Sequence, residues 1–389
     1  MSLWQRLRDW LHTDTQPDST PTPAPDSAPP SSPPSATHNR RFTASLRTHT
    51  PAQSLRRTRS ARLKRHGLPL WRNDQALAAD LDLSTPELYH FACHRLADPH
   101  RHYISFNIPR RSGASRAILA PLPRLKALQR RLLALALHRL PVHDAAHAFV
   151  PGRSIATNAR PHLGKAFVLS LDLKDFFGSL HLGRVRGYLL AMGYGWEVAS
   201  TLALLCTEAP RQPVQVQGEV RWAPVGSRTL PQGAPTSPAL ANAIAYRLDR
   251  RLNGLARSLN LTYTRYADDL SFSGDDPQVL GSLLRLTHQI VVEEGFELAS
   301  HKTRVQRQGQ RQQVAGVIVN QVLGRSRQER RRLRAAIHRY ARAQARGESH
   351  PAWRLELEGR LAFLHMLNPA QARALSSGLP DEPPGASAR

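Results

Sequence analysis

The chain has 389 residues, with 54 Lys and Arg against 29 Asp and Glu, a formal net charge of +25 at pH 7. That length allows two or three structural units with a substantial core, and the positive surplus points to a polyanionic partner, most simply nucleic acid. Two cysteines, Cys93 and Cys206, exclude a disulfide-framed scaffold, and no apolar run is long enough to cross a bilayer, so the expectation is a soluble protein of a reducing compartment.

From residue 13 to about 36 the chain is mostly Pro, Ser, Thr and Asp, which cannot bury enough apolar surface to fold. No acid lies between Asp26 and Asp74, whereas ten Lys or Arg run from Arg40 to Arg72. Residues 1–66 are therefore expected to be a largely disordered extension, its basic part either an arm on nucleic-acid phosphates or a solubilising tail. A helix is predicted over 85–97, with Thr85 as cap and Pro86 first. His90, Cys93, His94, His100 and His102 are ligand types, but their spacing matches no usual zinc pattern.

Residues 103–109 and 116–120 read as two strands around an arginine-bearing turn. Arg110, Arg111 and Arg116 there are donors suited to a triphosphate, or else a solvated basic turn. A helix is expected over 122–140. The polar run Asn158-Ala159-Arg160-Pro161-His162 has no reading from its chemistry alone. Next comes the apolar strand 166–172, which ends on Asp172. Phe176 and Phe177 follow one turn beyond that carboxylate, where a ring can exclude a ribose 2′-hydroxyl, although core packing serves Phe176 equally well. Leu230-Pro231-Gln232-Gly233-Ala234-Pro235-Thr236-Ser237-Pro238 is a loop opening a helix, with Ser237 as cap. In it Gly233 permits close approach to a base pair, and Gln232 is placed to bond a nucleotide.

Residues 261–266 and 270–273 alternate as a hairpin with Ala267-Asp268-Asp269 at its tip. An Asp-Asp pair at a hairpin tip can be an ordinary solvated turn. Neighbouring carboxylates repel, however, unless a cation of high charge density neutralises them, and hard oxygen ligands select Mg²⁺ or Mn²⁺. Asp172 supplies a third carboxylate, and a strand lying beside the hairpin would converge all three, as a two-metal nucleotidyl-transfer site needs. Beyond the hairpin a helix is expected over 277–294. Lys302 follows, where a cation can assist a departing pyrophosphate, then a strand pair over 313–320. Residues 325–346 hold nine Arg against one acid, Glu329. The helix predicted over 328–344 puts Leu333, Ile337, Tyr340 and Ala341 inward and its arginines outward, toward solvent or phosphates. A last helix is expected over 353–367.

The carboxylates Asp172, Asp268 and Asp269, the Leu-Pro-Gln-Gly-Ala-Pro-Thr-Ser-Pro loop and the Tyr-Ala-Asp-Asp hairpin resemble the shared motifs of reverse transcriptases. Asn158-Ala159-Arg160-Pro161-His162 is similar to the retron Asn-Ala-x-x-His signature, and Val314-Ala315-Gly316 stands where retrons usually carry Val-Thr-Gly. The resemblance covers residues 103–320, and more loosely extends to 367. It implies an α+β right-hand polymerase fold: fingers and palm over 67–320, a basic helical thumb over 321–376 and a disordered tail over 377–389. It further implies RNA-directed DNA synthesis in the bacterial cytoplasm, with two Mg²⁺ ions, or Mn²⁺, on the three aspartates. Arg110, Arg116, Phe177, Gln232 and Lys302 would contact the deoxynucleoside triphosphate. Asn158, His162, Val314, Gly316, Arg330, Arg331 and Arg334 would contact a cognate non-coding RNA. Retron enzymes prime from a guanosine 2′-hydroxyl, keep a branched RNA–DNA product, and are associated with anti-phage defence through a separate effector protein. Ala315 departs from the retron pattern and is expected to alter RNA reading without touching catalysis. The rival readings are a reverse transcriptase of another lineage primed from a 3′ end, and a non-catalytic RNA-binding scaffold.

Overall fold

The computed structural model describes residues 57–92, 101–109, 115–348 and 350–380. The chain divides into two compact units, each discontinuous in sequence: Met1–Arg139 with His181–Ser237, and Leu140–Leu180 with Pro238–Arg389. Helices and strands are both present in quantity, an α+β chain.

The first unit begins with α1 (Ser60–Arg65), whose Leu63 is wholly buried. Arg59 N–H donates to the Gly193 carbonyl at 2.7 Å, so residues 57–66 are folded, contrary to their place in the expected 1–66 extension, whose residues 1–56 lie outside the described residues. Trp71, also buried, stacks on Tyr194 and donates its indole N–H to Asp80 at the end of α2 (Asp74–Asp80). In α3 (Thr85–Ala92) the cap is Ser84, not Thr85. The Ser84 hydroxyl accepts from Glu87 N–H, and the Glu87 carboxylate accepts from Ser84 N–H, so two orphan donors are satisfied reciprocally. Strands β1 (Tyr103–Pro109) and β2 (Ser115–Pro121) pair antiparallel from Tyr103↔Pro121 to Pro109↔Ser115. The helix α4 (Pro123–Leu135) then inserts Leu125, Leu128 and Leu132 into the core.

The chain now enters the second unit through α5 (Ile155–Ala159), held by a Ser154–Thr157 capping box, and β3 (Phe167–Asp172). It returns to the first unit for α6 (Leu182–Met192) and α7 (Trp196–Cys206). The latter is apolar on nearly every side, burying Val198, Ala199, Leu202, Ala203 and Leu205, as a helix internal to its unit must. Strands β4 (Arg211–Val216) and β5 (Glu219–Pro224) form a hairpin through Gln217 and Gly218, both at positive φ, the turn that matches strand twist. In the loop before the next helix, a Cβ added to Gly233 would lie 2.5 Å from the Leu119 carbonyl oxygen of β2. Glycine is required there because two backbones touch.

The helix α8 (Ser237–Ile244), which belongs to the second unit from Pro238 onward, includes Ser237 in its first turn. The Ser237 hydroxyl donates to the Pro231 carbonyl and closes the loop rather than capping the helix. After α9 (Tyr246–Ser258) come β6 (Thr262–Tyr266) and β7 (Asp269–Gly274), then α10 (Leu280–Glu293) and β8 (Arg304–Arg307). The sheet has the order β6-β7-β3-β8, all antiparallel. Its central strand buries Phe167, Val168, Leu169 and Leu171, each contributing about 1.5–3 kcal/mol. A two-residue pair, β9 (Gln313–Val314) and β10 (Val317–Ile318), packs Val314 and Val317 with Val168 and with Ala156 and Ala159 of α5.

The last three helices are α11 (Arg327–Ala345), α12 (Pro351–Leu367) and α13 (Pro369–Ser376). They share a core of Leu333, Ile337, Tyr340, Leu357, Leu361, Leu364 and Leu375. Ala336 and Ala343 are buried in α11, whereas Ala341, expected on that stripe, is only half-buried.

Candidate active site

Strand β3 carries Asp172 at its C-terminal end, and the antiparallel register sets Asp172 directly opposite Asp269, the first residue of β7. Tyr266 pairs with Asp269, so Ala267 and Asp268 are the two central residues of a tight turn. Ala267 is at φ 58°, a left-handed conformation that costs a residue with a Cβ about 1–2 kcal/mol. The turn is tied to β3 by Leu173 N–H donating to the Asp268 carbonyl at 2.8 Å, and the Asp172 carbonyl accepts from Ala299 N–H at 2.8 Å. One carboxylate from a strand end and two from a hairpin tip thus reach the same end of the sheet.

Three carboxylates in one place are electrostatically costly. Burial, together with the charges of Asp172 and Asp268, pushes the Asp269 carboxyl up to about 7, against the Ser271 hydroxyl and the Ala315 N–H, which favour its charged form. Lys302 offsets part of the charge, its Nζ 2.9 Å from Asp172 Oδ2. Among the described residues no three His, Cys, Asp or Glu side chains are already drawn together around a metal position. The fit to a hard divalent cation rests instead on the donor chemistry: three carboxylates on adjoining positions whose mutual repulsion such a cation removes.

Of the nucleotide contacts expected from sequence, Arg110 lies outside the described residues, and Arg116 sits in β2 opposite Ile108. Gln232 Oε1 is buried without a hydrogen-bond partner. Such a group costs about 1–3 kcal/mol, and a ligand donor would satisfy it. Phe176 is core, its ring centroid 5.8 Å from that of Phe296, while Phe177 is half-exposed.

The expected RNA contacts divide. Arg331 and Arg334 are exposed on α11, and Gly316 is exposed at the β9–β10 turn. Arg330 is half-buried, with its Nε shut away from solvent and without a partner. Asn158, His162 and Val314 are fully buried, so their side chains have no surface to offer an RNA. His162 instead bridges the hairpin: Nδ1 is 2.7 Å from Ser273 Oγ and Nε2 is 2.8 Å from Thr264 Oγ1. Burial, with a smaller contribution from His147, lowers its pKa to about 3, so it acts as a neutral imidazole. Ser271, opposite Thr264 on the same sheet face, places its hydroxyl 3.5 Å from Asp269 Oδ1. A line of buried polar groups therefore runs from His162 to the carboxylates.

Two further residues support the turn and the carboxylates. The Ala315 main-chain N–H favours the charged form of Asp269, a contact that does not depend on which side chain stands at 315, and the positive φ of Ala315, 46°, beside that of Gly316 makes the β9–β10 turn. Arg265, one residue before Tyr-Ala-Asp-Asp, is buried against Asp249. Of the ligand-type residues whose spacing matched no zinc pattern, His90 and His102 are packed edge to face; Cys93, His94 and His100 lie outside the described residues.

The family model described as reverse transcriptase (RNA-dependent DNA polymerase) matches residues 108–322, a span that includes all three of these carboxylates. The chain is 53% identical over 341 residues to the retron Mx65 reverse transcriptase of Myxococcus xanthus, covering 88% of this chain and 79% of that one. It is 44% identical to the retron Mx162 reverse transcriptase of the same organism, over 82% of this chain and 69% of the other. With the retron Ec86 reverse transcriptase of Escherichia coli it shares 32% identity, over 71% and 81%. The chain belongs to the retron reverse transcriptases, and is an RNA-directed DNA polymerase of retron type.

Proposed function

We propose that the enzyme copies part of a cognate structured RNA, priming from a guanosine 2′-hydroxyl and leaving a branched RNA–DNA product, and that it serves anti-phage defence with a separate effector protein. The observation that carries the catalytic part is the Asp172↔Asp269 register with Asp268 beside it. Asp172, Asp268 and Asp269 would hold Mg²⁺, which when bound favours ionisation of the priming hydroxyl and takes up charge on the departing pyrophosphate.

The chain's own groups do the rest. Lys302, already beside Asp172, would supply positive charge at the triphosphate end. Phe177 would offer its half-exposed ring to the sugar and Gln232 Oε1 would accept a hydrogen bond from the nucleotide, while Arg110 and Arg116 are proposed as triphosphate donors on the sequence pattern alone. Arg331 and Arg334 on α11 would bind RNA phosphates, with Arg330 and Gly316 alongside. Asn158, His162 and Val314 would serve RNA binding only from beneath, by shaping the surface. No helix among the described residues is long and apolar enough to cross a membrane.

Expressing the chain with its genomic flank and treating the extracted nucleic acid with RNase and a debranching enzyme tests this reading. An abundant short DNA whose mobility changes on debranching supports it. Extension of a supplied primer–template with no such DNA favours ordinary 3′-end priming, and refutes the branched product.

A further inference from the structure

Arg265 is 0% exposed, and so is the Asp249 carboxylate it faces. Its Nε and one terminal nitrogen each donate to Asp249 at 2.7 Å, a bidentate pair with α9. Its remaining nitrogen donates at 2.9 Å to the carbonyl of Ala267 and at 3.1 Å to Asn242 Oδ1 of α8. The Asn242 amide in turn donates to the Ala148 carbonyl at 2.8 Å. The guanidinium carbon lies 5.5 Å from the centroid of Phe176, on the segment that follows Asp172. Main-chain bonds from Arg265 N–H to the Ala145 carbonyl and from His147 N–H to the Arg265 carbonyl fix the residue at both ends.

One planar group therefore touches two helices, the turn between β6 and β7, and the ring after β3. The Ala267 peptide it holds is the left-handed one, the strained link immediately before Asp268. Only a guanidinium has enough donors, in a fixed fork, to bind a carboxylate twice and still reach a carbonyl and an amide. A pair serving stability alone needs no third contact: a buried ion pair is commonly replaced by apolar residues of like volume at little or no cost.

We infer that Arg265 is the positioning residue for the catalytic turn: clamped on Asp249, it holds the Ala267 carbonyl and so sets the direction in which Asp268 and Asp269 project. This rests on the proposed assignment of those aspartates as the catalytic carboxylates, and Asp268→Asn is assayed alongside to keep the two apart.

The test measures kcat and the KM for dTTP on poly(rA) primed with oligo(dT), using the full chain, with thermal unfolding of every variant. In Arg265→Lys the ammonium keeps a charge opposite Asp249 but cannot span both contacts. The expected result is a fall in kcat of about 10- to 100-fold, the loss that a misplacement of about 1 Å brings, with KM for dTTP within about twofold. Arg265→Met combined with Asp249→Leu and Tyr263→Phe replaces the pair, and the buried Tyr263 hydroxyl that donates to Asp249 at 2.9 Å, by apolar volume; it is expected to unfold close to the parent temperature, with the same loss of kcat. It decides the matter if the lysine variant fails to fold. Either variant, folded and polymerising at the parent rate, overturns the inference. So does a loss that vanishes when activity is expressed per folded molecule. Activity that survives Asp268→Asn refutes the catalytic assignment instead.

Discussion

Replacing His162 with alanine separates two roles that the residue could have. In the structure the imidazole is fully buried and joins β7 through Ser273 to β6 through Thr264. Its removal breaks two hydrogen bonds worth about 1 kcal/mol each, and leaves hydroxyls in a dry space, where each unsatisfied group costs about 1–3 kcal/mol. Thr264 keeps its bond to the Asn158 carbonyl at 3.3 Å, so the full cost falls mainly on Ser273. The sum is about 2–4 kcal/mol, or about 5–15 °C in unfolding temperature for a unit of this size. The assay pairs thermal unfolding with titration of the protein against its RNA below the unfolding range. RNA affinity should hold within about twofold while stability falls. An RNA affinity lowered tenfold or more with unfolding unchanged would show that His162 faces the RNA, and the bridging role would be wrong.

The same residue makes stability depend on pH. Its folded pKa of about 3 lies below the ordinary value of about 6.5, so the unfolded chain binds the proton first, and stability present at pH 7 is lost as pH falls below 6.5. Between pH 7 and pH 5 this amounts to about 2 kcal/mol, and urea unfolding at the two values should show that component vanish in His162→Ala. Asp172→Asn or Asp268→Asn should abolish DNA synthesis on a primed RNA template while RNA binding and unfolding stay near parent values; a variant that still polymerises removes that aspartate from catalysis. Gly233→Ala should destabilise the first unit by about 1–3 kcal/mol, because the added methyl would meet the Leu119 carbonyl. An unchanged unfolding curve would mean that the two backbones separate freely.

What could be read from the chain was whatever repeats locally. The alternating hairpin around Asp268, the apolar strand ending at Asp172 and the arginine-rich amphipathic helix all declare themselves within a dozen residues, and the structure has each in place. The residues that escaped act over long separations. Nothing near Asn158 or His162 says that they are buried, because their partners, Thr264 and Ser273, are more than a hundred positions away. Arg265 looked like one more basic residue in a basic chain, since its partner Asp249 sits sixteen positions earlier on a separate helix. The β4–β5 hairpin went unread because Arg211 to Pro224 mixes Gln, Arg and Val without one dry face. The effect of Ala315 on Asp269 is invisible in the sequence for a different reason: it comes from a backbone N–H, which every residue but proline carries.

The strand order carries a cost during synthesis. Strand β3 lies between β7 and β8, and both neighbours are translated after it. Roughly a hundred residues must leave the ribosome between Asp172 and Gly274 before the first edge of Phe-Val-Leu-Ser-Leu can pair, about 5–20 s at ordinary elongation rates. For that interval the nascent chain exposes an apolar, uncharged strand with two open edges, the kind of segment that recruits copies of itself. Polypeptides that stop short of Gly274 never cover it, so crowding on polysomes, chaperone capture and codon choice within residues 173–274 bear on how much of this enzyme reaches its folded state.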